Sequence, residues 1–160
     1  MMSTGGIVNT VNGNFDTSKG EIRLAQVYID KKYFPDFTKV TGLLQHLIKY
    51  VNHRIDDVSE LEALKLAADF HYNLVNIHPY GDGNRRTARL FMNYIQMYHS
   101  EPLVKVFTED RAAYIDALNS TEELDDITIF RNFICEQQIN FYETELEKFK
   151  KRNKGSTLLF

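Results

Sequence analysis

His78-Pro79-Tyr80-Gly81-Asp82-Gly83-Asn84-Arg85-Arg86-Thr87-Ala88-Arg89 joins two stretches of helical periodicity, and its reading decides the architecture. Upstream, Leu61, Leu64, Ala67, Ala68, Phe70, His71, Leu74, Val75 and Ile77 put apolar residues around much of a helix, as a central buried helix requires. Ser59-Glu60-Leu61-Glu62 has the form of a capping box and marks where that helix starts. Pro79 disfavours helical geometry at His78 and ends it. Downstream the period resumes with Ala88, Phe91, Met92, Ile95 and Tyr98 and stops near Ser100-Glu101-Pro102. The segment is therefore the loop of a helix–loop–helix, set at the end of a buried helix.

Packing alone does not account for this loop. A helix N-terminus carries partial positive charge and attracts Asp or Glu, yet this one opens with Arg85, Arg86 and Arg89. Three arginines repel the dipole and one another unless an anion sits among them. Gly81, Gly83 and Asn84 let the backbone turn sharply and approach a ligand, so that exposed N–H groups can cradle a phosphate. Arg86 and Arg89 are three apart, share a helix face and can both reach one polyphosphate with forked hydrogen bonds. Asp82 is a suitable oxygen ligand for a magnesium ion bridging phosphates. His78 is the group that can accept a proton near neutral pH.

The segment resembles the signature loop of Fic proteins, His-x-Phe-x-Asp/Glu-Gly-Asn-Gly-Arg-x-x-Arg, and all but two of the specified positions match. The similarity extends to Gly20-Glu21-Ile22-Arg23 through Val27-Tyr28-Ile29 and to the helix bearing Leu43-Leu44 and Ile48. The resemblance implies a mostly helical domain with a small β-hairpin flap that transfers AMP from magnesium-bound ATP to a hydroxyl of a target protein. It implies that His78 is the general base, Asp82 the magnesium ligand, and Gly83 with Asn84 the anion hole. Arg86 and Arg89 would hold the β- and γ-phosphates, with Gly81 and Arg85 in the same nucleotide-binding loop. The hairpin around Ile22 to Tyr33, with Ile22, Arg23, Val27, Tyr28 and Ile29, would clamp an extended stretch of target by strand addition. Tyr80 stands where the family usually has Phe. Arg85 stands where it usually has a second glycine, a position at which the phosphate-transferring Doc branch carries lysine. Two alternatives stay open on that account: phosphate transfer to protein, or a nucleotide-binding regulatory module without catalysis. Many Fic proteins are restrained by a helix of pattern Ser/Thr-x-x-x-Glu-Gly/Asn. Thr17 and Glu21 have that spacing, but Ile22 follows and Gly20 weakens a helix, so an inhibitor is expected to be absent from this chain or supplied by a partner.

Working outward, residues 1–19 read as a flexible leader, residues 20–150 as the domain and residues 151–160 as a tail. Ile22, Leu24, Val27 and Ile29 suggest two short strands around Ala25-Gln26. After Pro35, Val40, Leu43, Leu44, Leu47, Ile48 and Val51 predict a helix from Thr38 to His53. Thr108 with Glu109 and Asp110 opens a helix with Ala112, Ile115 and Leu118 inward, and Thr121 opens the last one through Ile127, Phe130, Ile134 and Phe141. The fold class is all-α with one small hairpin.

The 160 residues carry a formal net charge of −3 with both signs interleaved, which argues against a nucleic-acid footprint. The lone Cys135 excludes an internal disulfide framework and favours a cytoplasmic setting. No signal peptide is visible and the apolar runs are too short to span a bilayer. His46, His53, His71 and His99 lack metal spacing with carboxylates or Cys135 and read as ordinary core or surface residues.

Overall fold

The computed structural model describes residues 5–29, 32–106 and 109–154. In order, these form strands β1 (Ile7–Thr10), β2 (Gly13–Asp16), β3 (Tyr28–Ile29) and β4 (Lys32–Tyr33), then helices α1 (Phe37–Arg54), α2 (Glu60–Ile77), α3 (Asn84–Tyr98), α4 (Arg111–Glu123) and α5 (Ile127–Lys154). The strands make two separate antiparallel hairpins. The chain divides into two compact units, one up to Glu101 and one from Pro102 onward. Among the described residues no helix is long and apolar enough to cross a membrane.

In the first unit α2 is the central element. Its capping box forms as the sequence predicts, with Ser59 N–H donating to Glu62 at 3.0 Å. Ala63 and Ala67 of α2 and Ala88 of α3 are fully enclosed, and such short side chains let the two helices approach closely. Around them Leu66, Phe70, Leu74, Met92 and Ile95 fill the interior, and Val40, Leu47 and Val51 bring the inner face of α1 into it. α1 starts where Asp36 accepts the Thr38 N–H at 2.9 Å, directly after the break at Pro35.

The second unit rests on α4 and α5, where Tyr114, Phe130 and Phe133 cluster with ring centroids 6.1 Å apart. The last helix does not open at Thr121, which is buried within α4. Asp125 turns left-handed and breaks the chain, and Asp126 caps α5 by accepting from Thr128 N–H at 2.9 Å. The start of α4 expected at Thr108 lies outside the described residues; the helix itself begins at Arg111.

Two sequence expectations near the N-terminus are corrected. The segment read as a flexible leader contains the β1–β2 hairpin, which turns on Val11-Asn12, pairs Thr10 with Gly13 (φ 122°) and buries Phe15. The second hairpin pairs Tyr28 with Tyr33 and Ile29 with Lys32 instead of folding around Ala25-Gln26. Residues 22–27 are occupied otherwise: Ile22 bridges to Tyr80, and Arg23 N–H donates to Pro79 O at 2.9 Å.

Candidate functional site

α2 ends at Ile77, and the next residue bends the chain out of the helix. His78 is left-handed (φ 50°, ψ 57°), and its N–H still reaches Leu74 O at 3.0 Å. A residue with a Cβ costs about 1–2 kcal/mol in that conformation, so the surroundings must impose it. The half-buried imidazole lies against Phe34, with centroids 4.0 Å apart. Its Nδ1 is 3.2 Å from Val75 O. A carbonyl oxygen can only accept, so Nδ1 carries the proton and Nε2 keeps its lone pair. Burial pushes the His78 pKa below its ordinary value; the bond to Val75 works against this, and the cations of Arg23, Arg85 and Lys32 push the same way as burial.

The loop after His78 is pinned from three sides. Asn84 is buried and its amide grips Tyr80, with Oδ1 accepting from Tyr80 N–H at 2.9 Å and Nδ2 donating to Tyr80 O at 2.8 Å. The Asn84 side chain therefore shapes the loop, and what it can offer an anion is its backbone N–H in the first turn of α3. Gly81 is approached so closely by Thr17 that a Cβ there would lie 2.6 Å from Thr17 Cγ2. Thr17 is itself held, its Oγ1 accepting from Gly6 N–H at 3.0 Å. Gly83 is left-handed (φ 82°) and caps α3, a conformation that favours glycine. Its N–H donates to Asp82 Oδ1 at 2.6 Å, so Gly83 contributes the turn while the first-turn amides of α3 face outward.

Asp82 also meets Arg86, Nη2 to Oδ2, at 3.2 Å. Arg85 is exposed and lies inside α3 with ordinary helical backbone, since the left-handed non-glycine residues among those described are His78, Ser100 and Asp125. Replacing the expected glycine thus strains nothing. Below the arginines lies His71, buried on α2. Burial first, then the charges of Arg89 and Arg85, lower its pKa to about 3, so it stays neutral. Nothing in the local pattern of α2 separates His71 from its apolar neighbours.

His78, Gly81, Asp82, Gly83, Asn84, Arg85 and Arg86 line one cleft of about 370 Å³ together with Ile29 of β3. A larger cleft of about 450 Å³ shares Asp82, Gly83 and Arg86 and is walled by Thr17, Ser18 and Leu90, but His78 does not line it. The smaller cleft, which His78 lines, is the candidate site. Of the remaining flap candidates, Tyr28 is exposed, Val27 is half-buried and Arg23 is completely buried. Arg23 turns inward and offers no surface to a docked chain. Glu21 accepts from Asp16 N–H at 2.6 Å beside a single 3-10 turn, Thr17–Lys19, with Gly20 left-handed at φ 69°.

A positive side chain set, a proton acceptor and a helix N-terminus in one cleft can bind and rearrange a phosphate ester. Comparison with known proteins points the same way. The family model described as Fic/DOC family matches residues 7–96. A protein adenylyltransferase Fic from Aedes aegypti is 36% identical over 117 residues, covering 73% of this chain and 23% of that protein. The structure of Fic-1 from C. elegans superimposes with a TM-score of 0.69 at 30% identity, covering 83% of this chain and 38% of that one. A Fic domain containing signaling protein from Bacteroides thetaiotaomicron matches in fold, with a TM-score of 0.67 at 24% identity, covering 76% of this chain and 52% of that one. The chain spans about a quarter of the length of the curated relatives it matches.

Proposed function

The chain belongs to the Fic/DOC family, and from that premise we propose that it transfers AMP from ATP to a serine, threonine or tyrosine hydroxyl of a target protein. The observation that carries this reading is the juxtaposition, in one cleft, of a histidine with a free Nε2 and a glycine-turned helix start bearing Arg85 and Arg86. The relatives' name, protein adenylyltransferase, supports the same choice.

Neutral His78 takes the proton of the target hydroxyl at Nε2 as that oxygen attacks the α-phosphorus. A new O–P bond forms, the bond to the bridging oxygen of the β-phosphate breaks, and pyrophosphate leaves. First-turn amides of α3 accept the charge on the α-phosphate, while Arg86 and Arg89 hold the β- and γ-phosphates. The catalytic advantage is positioning and charge stabilisation with little covalent work by the protein.

The donor set fits magnesium. Asp82 is half exposed, its Oδ1 accepts from Gly83 N–H and its Oδ2 meets Arg86, and an exposed carboxylate is the kind of oxygen ligand that magnesium takes. Among the described residues no group of three or more His, Cys, Asp or Glu forms a cage, so the ion would be held by Asp82 and by phosphate oxygens, as magnesium commonly is. Bound there, it supplies charge neutralisation between the phosphates. The edge of β3, which has no strand beside it other than β4 among the described residues, would take an extended target segment, and a separate inhibitory protein is part of the proposal because Glu21 is engaged with Asp16. A cytoplasmic setting also belongs to it, resting on the lone Cys135.

Arg85 in the cleft favours a second reading, transfer of the γ-phosphoryl group. Incubation with lysate and ATP labelled at the α- or the γ-phosphorus separates the two. Protein label from the α position is expected. Label from γ alone would replace AMP transfer with phosphate transfer, and ATP binding with neither label would leave a regulatory module.

A further inference from the structure

Arg23 is among the largest side chains with no exposed surface. Burying a guanidinium is unfavourable unless its donors are met, and burial lowers its pKa against the influence of Asp36. The donors go to backbone carbonyls of three separate segments. Nε donates to His78 O at 2.8 Å, Nη1 to Ala25 O at 2.6 Å and Nη2 to Pro35 O at 2.5 Å. Its own backbone N–H donates to Pro79 O at 2.9 Å. Ala25 and Pro35 stand just before and just after the β3–β4 hairpin, and His78 is the left-handed residue that ends α2.

We propose that Arg23 is the positioning residue of this site, joining both roots of the hairpin to the backbone of His78 so that hairpin and base are held as one body. The planar guanidinium suits this because it presents donors in fixed, divergent directions, which an ammonium cannot do. Two consequences matter for the cleft. The His78 carbonyl is anchored in the strained conformation from which Nδ1 reaches Val75 O, leaving Nε2 as acceptor. The hairpin carrying Ile29 is set at a constant distance from that nitrogen, which fixes where an attacking hydroxyl sits. The inference rests on the reading of His78 as the base.

Its test uses the whole chain with Arg23→Lys and Arg23→Gln, both checked for cooperative thermal unfolding. The imidazole of His78 is followed by 15N NMR without nucleotide. The wild type is expected to show one tautomer with the proton on Nδ1, and each variant a mixture of the two. In AMP transfer the variants are expected to lose about 10- to 100-fold in kcat, as small misplacements of reacting groups do, with ATP affinity unchanged within about twofold. A folded Arg23→Lys protein with the wild-type tautomer and wild-type kcat overturns the proposal. If the wild type transfers no AMP, the functional reading fails, while the tautomer measurement still decides the role of Arg23. If neither variant folds, native-state hydrogen exchange of the wild type decides it: the amides of Arg23, Phe34 and His78 should open together. Independent opening of the hairpin amide at Phe34 and the loop amides overturns it.

Discussion

At the scale of single residues, His78 and Arg85 decide what the cleft can do. A general base works only when neutral, so the rate should be high above its pKa and fall as pH drops through it. Burial and nearby cations hold that pKa below the ordinary 6.5, which places half-maximal kcat/KM for the acid limb below pH 6.5. His78→Ala should reduce transfer by about 100-fold or more and leave ATP affinity nearly intact, since bases contribute to rate and little to binding. Wild-type turnover in that variant would remove His78 from the mechanism. Arg85 takes ordinary helical backbone, so a glycine there is not required for the turn. Arg85→Gly should therefore give no gain from relief of strain, and should cost up to about 1 kcal/mol of stability because glycine is a poor helix former. Isothermal titration with ATP should rank Arg86→Ala as more damaging than Arg85→Ala, since Arg86 lines both clefts around Asp82 and Arg85 only one. The reverse order would make the Arg85 guanidinium the main phosphate ligand.

At the scale of elements, the docking edge proposed for a target is on the β3–β4 hairpin. Phe34 N–H donates to Val27 O at 3.2 Å, which makes Val27 and Phe34 a hydrogen-bonded pair. Antiparallel pairing alternates, so the next pair, Tyr28 with Tyr33, is not hydrogen-bonded internally and the Tyr28 backbone points to the outer edge. That edge has no strand beside it among the described residues. A proline is tolerated where an edge N–H faces solvent, and there it removes the donor that an incoming strand needs. Tyr28→Pro should therefore raise KM for the protein target well beyond any change in ATP affinity. Equal loss of both would indicate a damaged cleft instead of a lost docking edge.

At the scale of the molecule, the buried His71 links acidity to the stability of the first unit. In the unfolded chain its pKa is near 6.5, and in the folded protein burial and the two arginines lower it to about 3. A depressed folded pKa contributes stability that is fully present above pH 6.5 and is lost as pH falls toward 3. The slope for one proton is about 1.4 kcal/mol per pH unit within that window. Urea unfolding at pH 7 and pH 5 should show a loss of about 2 kcal/mol from this group, and His71→Leu should remove that part of the pH dependence. An unchanged slope in the variant would assign the acid sensitivity to the carboxylates.

The amino-acid sequence by itself determined the helical architecture and the place of the candidate loop between two helices. Apolar residues recur at helical spacing in α1, α2 and α3, the capping box at Ser59 starts α2, and Pro79 ends it, all through forces acting within a few residues. The glycine–arginine loop pointed to a candidate phosphate site because three cations at a helix start conflict with local electrostatics unless an anion resolves it. The β1–β2 hairpin was not legible, because its loop, Val11-Asn12, lies in polar surroundings that resemble a leader. The start of α5 was ambiguous because both Thr121 and Asp126 can cap a helix. Only the tertiary structure decided where the functional groups point. Asn84 turns to the backbone of Tyr80, Arg23 goes inward to carbonyls 2, 12 and 55 residues away, and His71 lies beneath Arg85 and Arg89. Those choices depend on which distant acceptor or charge burial brings close, and spacing along the chain carries no record of that distance.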